Sequence, residues 1–231
     1  MRRVLIGASI AILSARAVSA QELFDKADRE TAAQLTRIVQ DAESRALPTE
    51  PIVAKASLGI MMKAAPARVV TAARAEATRL ATAKEALAPS PTSAEIAAGA
   101  QALSVGVTID ALKRVRAASP REPIATPLGV LTQLVASGVT LERATSIVID
   151  LLQRGATSVQ LIALGNAVNT DIKLGGSPDN ALDIRTRGLI PQIGPPGSFD
   201  FLGGDKVTVP AATTTGSPPP PPTSKPPVKK P

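Results

Sequence analysis

Because its 231 residues include neither His nor Cys, the side chains left for acid–base chemistry in this chain are mainly carboxylates and the amines of lysine. Disulfides, thiolate or imidazole metal sites and His-dependent catalytic triads are therefore excluded. Acid–base catalysis would have to rest on carboxylates, which need a paired arrangement. The available carboxylates are Asp110, Glu122, Glu142, Asp150, Asp171, Asp179 and Asp183.

These carboxylates show no paired arrangement in the sequence. Asp110 and Glu142 stand near the starts of predicted helices, where an acidic side chain faces the positive end of the helix dipole. The others fall on predicted exposed faces or turns. No phosphate-binding loop, dinucleotide-binding glycine motif or nucleophile elbow is found after residue 20. We therefore predict that the protein is not an enzyme and has no catalytic, cofactor-binding or metal-binding residues.

The charge of the chain argues against binding to nucleic acid. The formal net charge is +7, but Arg2, Arg3 and Arg16 lie in an N-terminal segment that is predicted to be removed. Residues 205–231 contain a further excess of lysine. The part between these segments is close to neutral, which is not typical of a surface that follows nucleic-acid phosphates.

The composition indicates that these residues are positioned by helices. Hydrophobic residues make up 44% of the chain and aromatic residues 1%, so a core must be built from Ala, Val, Leu, Ile and Met. Small side chains suit closely packed helices, and the abundant Ala, Arg, Leu and Glu are good helix formers. Segments that alternate with a period of two are scarce. The sequence predicts an all-α fold.

Turn residues divide this fold into helical pairs. One helix is predicted from about residue 22 to 45, and Pro48 and Pro51 end it. Beyond it the pattern Gly-Val-Thr recurs at residues 106–108 and 138–140, where Gly is expected to end one helix and the side chain of Thr to cap the next. Residues 63–66 and 176–179 occupy comparable turns, and in the second of these Ser177 is the expected cap and Pro178 the first helical residue. Thr49 is expected to cap the helix that follows it. We predict an irregular array of antiparallel helical hairpins.

Apolar or small residues at helical spacing predict which faces turn to the core. Early in the chain they are Phe24, Ala27, Thr31, Leu35, Ile38 and Ala42. Later they are Ile96, Ala100 and Leu103; Ile109, Leu112 and Val115; Leu128, Leu131, Leu134 and Val135; and Ala144, Ile147, Val148, Leu151 and Leu152. Residues 21–50 are mainly acidic and residues 51–84 mainly basic, which indicates either paired helices or two separately solvated faces.

The chain divides into a signal peptide at residues 1–20, a helical domain at 21–190 and a proline-rich, lysine-containing tail at 191–231. Two arginines, an apolar run at residues 4–13 and small residues at 17–20 are typical of an export signal. The apolar run has about half of the ~20 residues that a membrane span needs. We expect a periplasmic or secreted protein without a transmembrane anchor after processing.

The tail is expected to be disordered, because its prolines and glycines cannot bury enough apolar surface to fold. Two uses of it are open. Lys225, Lys229 and Lys230 could make weak contacts with an anionic polymer, and residues 199–202 (Phe-Asp-Phe-Leu) could dock on the domain or on a partner. The alternative for the lysines is a role in solubility alone.

A short segment resembles a known pattern. Residues 47–56 read Leu-Pro-Thr-Glu-Pro-Ile-Val-Ala-Lys-Ala, and Gly59 follows. This resembles a Leu-Pro-Thr-Glu-Pro-Leu-Val-x-Lys-Ala segment of uncharacterised exported bacterial proteins of helical composition, which implies export but no activity. Ala46 stands where that pattern has Gly, and Met61-Met62 replace smaller residues. The segment is explained by helix punctuation, and the alternative is a binding role for Glu50 and Lys55.

These observations favour an exported, non-enzymatic helical scaffold of the bacterial envelope that binds an unknown protein or envelope component. The alternative is a carrier of a small apolar or lipid-like ligand between helices. An exposed apolar patch would favour the scaffold, and a buried cavity lined by side chains would favour the carrier. Carboxylates clustered in a cleft would favour an enzyme.

Overall fold

A computed structural model describes Phe24 and residues 27–193, which form nine α-helices and no strand. The prediction of an all-α fold is confirmed. The predicted signal peptide, and the predicted tail from residue 194 onward with its lysines and residues 199–202, lie outside the described residues. The helices are α1 (Arg29–Ser44), α2 (Glu50–Met61), α3 (Pro66–Ala86), α4 (Ser93–Ser104), α5 (Ile109–Ala118), α6 (Ala125–Ala136), α7 (Leu141–Gln153), α8 (Ser158–Lys173) and α9 (Pro178–Leu189). A 3₁₀ turn at Ile190–Gln192 follows α9.

The helices pack in two rows, and the main contacts join helices one or two positions apart along the chain. The odd-numbered helices α1, α3, α5, α7 and α9 follow one another in one row. Helices α4, α6 and α8 form the second row, and α2 packs on α3. The predicted array of helical hairpins is therefore confirmed.

Left-handed residues end most of the helices with the same pair of hydrogen bonds. At the end of α4 the Gly106 N–H donates to Leu103 O at 3.2 Å, and the Val107 N–H donates to Ala102 O at 3.1 Å. These bonds satisfy carbonyls at the helix end, and the required positive φ suits glycine. The glycines in this position have φ values of +98° at Gly106, +93° at Gly138, +79° at Gly155 and +96° at Gly175.

Two of these positions hold a residue with a side chain. Ala46 after α1 has φ +51° and Lys63 after α2 has φ +53°. The N–H groups of Ala46 and Lys63 donate to carbonyls three residues back, as those of the glycines do. The left-handed region is unfavourable for these residues because their Cβ atoms crowd the backbone.

The predicted helix caps are partly confirmed. The Thr108 side chain accepts the Ala111 N–H at 3.2 Å, as expected. The predictions for Thr49, Thr140 and Ser177 are wrong, because each precedes its helix without a side-chain cap hydrogen bond. Thr140 is instead bonded to Asp179, whose carboxylate accepts its N–H at 3.0 Å and its hydroxyl at 3.3 Å. A contact from another helix has taken the place of the local cap.

The prediction of one helix from residue 22 to 45 is also wrong at its start. Helix α1 begins at Arg29, where the Asp28 carboxylate accepts the Thr31 N–H at 2.9 Å. Residues 27 and 28 are not helical. The acidic cap therefore separates Phe24, which is buried, from α1.

Buried side chains form two hydrophobic clusters. One joins Phe24 and α1 to α4, and the other extends from the end of α3 to Ile193. The predicted inward stripes are largely right, but Ile109 is 46% exposed and Ala111 is buried in its place. Ile193 is 4% exposed and lies three residues beyond the predicted domain boundary.

Candidate functional site

Most of the carboxylates that the sequence offered as catalytic candidates contact arginine or backbone groups. Glu142 of α7 pairs with Arg114 of α5 at 3.1 Å, and Asp171 of α8 pairs with Arg185 of α9 at 2.6 Å. The hydrogen bond from Arg185 lowers the pKa of Asp171 below its ordinary value. These pairs join neighbouring helices. Both carboxylates are therefore engaged by an arginine of another helix.

Three of the five remaining candidates also contact arginine or backbone groups. Asp183 of α9 binds Arg143 of α7, and Asp150 of α7 pairs at 2.8 Å with Arg154, the residue that follows this helix. The Asp179 carboxylate accepts the hydrogen bonds from Thr140 that are described above. Asp110 and Glu122 are exposed. Within residues 27–193 and Phe24, no three acidic side chains are grouped to hold a metal ion.

The most buried carboxylate, Glu95, was missed by the sequence analysis. Its side chain is 3% exposed at the start of α4. One of its oxygens accepts the Ile124 N–H at 3.0 Å and a hydrogen bond from Arg116, and the other accepts the Thr92 N–H at 2.8 Å. Burial alone would raise the pKa of Glu95, but these hydrogen bonds outweigh it and hold the pKa below its ordinary value.

Glu95 is a structural group. It joins the start of α4 to the last turn of α5 and to the residue before α6, and its ionised form is already fully hydrogen-bonded. One of these contacts could have been predicted from the sequence. Thr92 and Glu95 have the spacing of a capping box, in which the side chain of each residue accepts the backbone N–H of the other. The contact with Arg116 could not have been predicted in this way, because it depends on how the helices pack.

Comparison with known proteins adds no family to this geometry. No protein-family model, no curated protein and no solved structure matches the chain. The resemblance at residues 47–59 therefore stays a prediction. In the structure Leu47, Pro48, Ile52 and Ala56 of that segment are buried, whereas Glu50 and Lys55 are exposed.

An apolar patch lies at the C-terminal end of α2. Leu58, Met61 and Met62 are 52%, 75% and 71% exposed, and their spacing of three and four places them on one side of the helix. We call these residues the methionine patch. Below it, an ideal Cβ on Gly59 would lie 3.0 Å from Val69 of α3, so the glycine allows the two helices to approach closely.

Basic residues flank the methionine patch along the chain. Lys55 precedes it on α2, Lys63 follows it in the turn, and Arg68 stands in the first turn of α3. All three are exposed. The patch is therefore apolar in its centre and positively charged at its edge.

A second feature, which we call the arginine groove, runs between α1 and α3. It has a volume of about 570 Å³ and is lined by Gln34, Arg37, Ile38, Asp41, Arg45, Arg74, Ala77 and Thr78. Arg74 donates to the Gln34 amide oxygen at 3.4 Å, and Arg45 lies 3.6 Å from Asp41. At the far end of α3, Lys84 donates to the carbonyl oxygen of Arg45 at 2.6 Å.

These contacts decide between the two interpretations of the charge pattern at residues 21–84. Helices α1 and α3 do pack together, but the described contacts between them use an amide and a carbonyl. The acidic residues Asp41 and Glu76 pair with arginines of their own helices. The basic surface of α3 is thus left uncompensated by α1.

None of the helices in the part of the chain that the structure describes combines the length and the apolar character of a membrane span.

Proposed function

We propose that this chain is an exported, non-enzymatic scaffold that binds a partner protein through the methionine patch. The exposure of Leu58, Met61 and Met62 on one end of α2 carries the proposal. Contiguous exposed apolar side chains with a polar edge are typical of protein interaction sites. Export rests on the pattern of residues 1–20, and the absence of His and Cys supports a binding role.

The patch is presented on a firmly held element. Ile52 and Ala56 of α2 are fully buried, and Gly59 is in close contact with Val69. Methionine side chains are flexible and polarisable, so they adapt to the surface that they meet. A rigid helix with adaptable side chains at its tip is suited to insertion into an apolar groove.

The charges around the patch indicate the kind of partner. Lys55, Lys63 and Arg68 would face the rim of any groove that receives the methionines. A second copy of the chain would bring like charges together, which opposes pairing. An apolar groove with an acidic rim complements both the patch and its edge.

Site-specific photo-crosslinking in the native cells tests the proposal. A photoreactive residue at position 61 should give a defined protein adduct, whereas the same residue at Leu174, which is 82% exposed and follows the last residue of α8, should not. The purified partner should bind the chain, and Met61→Ser/Met62→Ser should weaken binding at least about tenfold, because each buried methionine contributes about 1.5–3 kcal/mol.

The folding control is the far-UV circular dichroism of the Met61→Ser/Met62→Ser variant, which should match that of the wild type because both side chains are exposed. Equal adducts at positions 61 and 174, or unchanged affinity of the folded double variant, would remove the basis of the proposal.

A further inference from the structure

We propose that the arginine groove is a separate binding site for an acidic oligosaccharide, that is, a hydroxyl-bearing chain with carboxylate or phosphate groups. The inference goes beyond the protein–protein contact proposed above and uses different residues. It rests on the three arginines of the groove, of which only Arg45 has an ion pair among the described residues, on the polar groups that line the groove with them and on its apolar side chains.

The cations are spaced for more than one anionic group. Arg37 and Arg45 are separated by two helical turns of α1, or about 12 Å. Arg74 faces them from α3. Guanidinium groups bind carboxylate and phosphate through two parallel hydrogen bonds, which favours anions held in a defined orientation.

These guanidinium groups have donors to spare. Among the described residues, Arg37 has no hydrogen-bond or ion-pair partner, and Arg74 has only the long contact with Gln34. Glu76, the acidic residue nearest to Arg74 in the sequence of α3, is buried and paired with Arg79. The groove therefore keeps a net positive charge although Asp41 lies within it.

Asp41 decides between kinds of anionic ligand. A carboxylate that lines the groove repels a chain of closely spaced phosphates, whereas it accepts hydrogen bonds from hydroxyl groups. Gln34 and Thr78 add groups that both donate and accept. Ile38 and Ala77 offer small apolar surfaces against which a sugar ring can lie. The volume of about 570 Å³ is within the usual range of ligand sites, ~300–1,000 Å³.

Calorimetric titration of the purified chain at low salt tests the site. The probes are hexagalacturonate as the acidic oligosaccharide, a neutral galactan oligomer of equal length, polyphosphate and oligoglutamate. We expect hexagalacturonate to bind at least about tenfold more tightly than the other three. Arg37→Ala/Arg74→Ala should weaken its binding at least about tenfold, because charge-assisted hydrogen bonds are lost.

A matched variant separates the groove from general charge attraction. Lys113→Ala/Arg121→Ala removes the same charge from two exposed residues elsewhere and should change affinity less than about twofold. Asp41→Asn should weaken binding of hexagalacturonate, because the charged acceptor for hydroxyl groups is lost. Circular dichroism establishes that each variant is folded.

Every other outcome overturns the inference. Equal losses in the two double variants would mean diffuse attraction. Polyphosphate or oligoglutamate binding as tightly as hexagalacturonate, or tighter binding after Asp41→Asn, would exclude the hydroxyl-bearing ligand. Absence of binding by all four probes would exclude the site itself.

Discussion

Ala46 and Lys63 adopt the left-handed backbone conformation although each has a side chain. This conformation is unfavourable for such residues. Each occupies the place that glycine takes after α4, α6, α7 and α8. The left-handed conformation costs a residue with a Cβ about 1–2 kcal/mol, and part of this is offset because glycine gains more freedom in the unfolded chain.

Replacing Ala46 with glycine should therefore stabilise the domain. We expect Ala46→Gly to raise the free energy of unfolding by about 0.5–1 kcal/mol and Gly106→Ala to lower it by a similar amount or more. Urea denaturation followed by far-UV circular dichroism measures both changes; the chain has no Trp to report by fluorescence. A loss of stability in Ala46→Gly would show that the αL strain is not the dominant effect.

Glu95 links stability to pH. Because its pKa in the folded state lies below its ordinary value of 4.5, its contribution is complete above that value and is lost as the pH falls through the folded pKa. Glu95→Gln should lower the free energy of unfolding at neutral pH by about 1.5–3 kcal/mol, because hydrogen bonds to a charged group are weakened.

The pH dependence provides the matched measurement for Glu95→Gln. The difference between wild type and variant should shrink as the pH falls below about 4.5, since protonation removes the same charge from the wild type. A difference that stays constant across this range would mean that the carboxylate charge is not what Arg116 and Ile124 recognise.

At the residue scale, the sequence predicts what depends on close neighbours. The cap at Thr108 and the glycines at helix ends follow from local patterns, and they are confirmed. The Thr92–Glu95 capping box was equally local and was missed. The contact of Glu95 with Arg116, 21 residues away, has no local signature.

Among the helices, two threonines with the same sequence context play different roles. Thr108 caps α5 with its own side chain, whereas Thr140 before α7 is held by Asp179 of α9. We expect Thr108→Ala to cost about 1 kcal/mol, which is typical of a lost cap, and Thr140→Ala to cost clearly less.

Asp179→Ala completes the comparison, because it removes the acceptor for the Thr140 N–H. It should lower the free energy of unfolding more than Thr140→Ala does, and the two changes should not be additive. Thermal melts measure these changes. If Thr108→Ala and Thr140→Ala lowered the melting temperature equally, the Thr140 side chain would act as a local cap, and the contact with Asp179 would not be what stabilises the start of α7.

Helix boundaries were predictable where glycine or proline marks them. Pro48, Pro66 and Pro178 stand at or near helix boundaries as expected. The start of α1 was not predictable, because Asp28 caps the helix within a run of residues whose spacing is typical of one continuous helix. Ile109 was assigned inward by spacing alone, but packing of α5 against α3 and α7 turns Ala111 and Leu112 to the core.

For the whole molecule, the burial of Ile193 extends the core of the described residues past the predicted boundary at residue 190. Truncation after Ile190 would remove this buried side chain, whereas truncation after Ile193 would keep it. We expect the shorter chain to be less stable by about 2–5 kcal/mol, which is the usual cost of losing a large buried aliphatic side chain. Chemical denaturation of the two truncated chains makes the comparison, and equal midpoints would place the boundary at 190.

Composition predicted the fold class of the whole molecule. With few aromatic residues and many small ones, the chain can form a core only where helices pack closely. Neither surface feature was predictable in the same way. The methionine patch depends on which face of α2 meets α3, and the arginine groove depends on α1 lying beside α3. Both are set by contacts between helices that spacing alone does not assign.

The two-row packing also bears on how such a chain can change over evolutionary time. Since the main contacts of each helix reach only one or two positions along the chain, a duplicated hairpin at the end of the rows would find the same kind of neighbours as the original. We therefore expect chains of this architecture to tolerate the gain or loss of a hairpin next to α9 while the early helices that carry the patch and the groove stay unchanged.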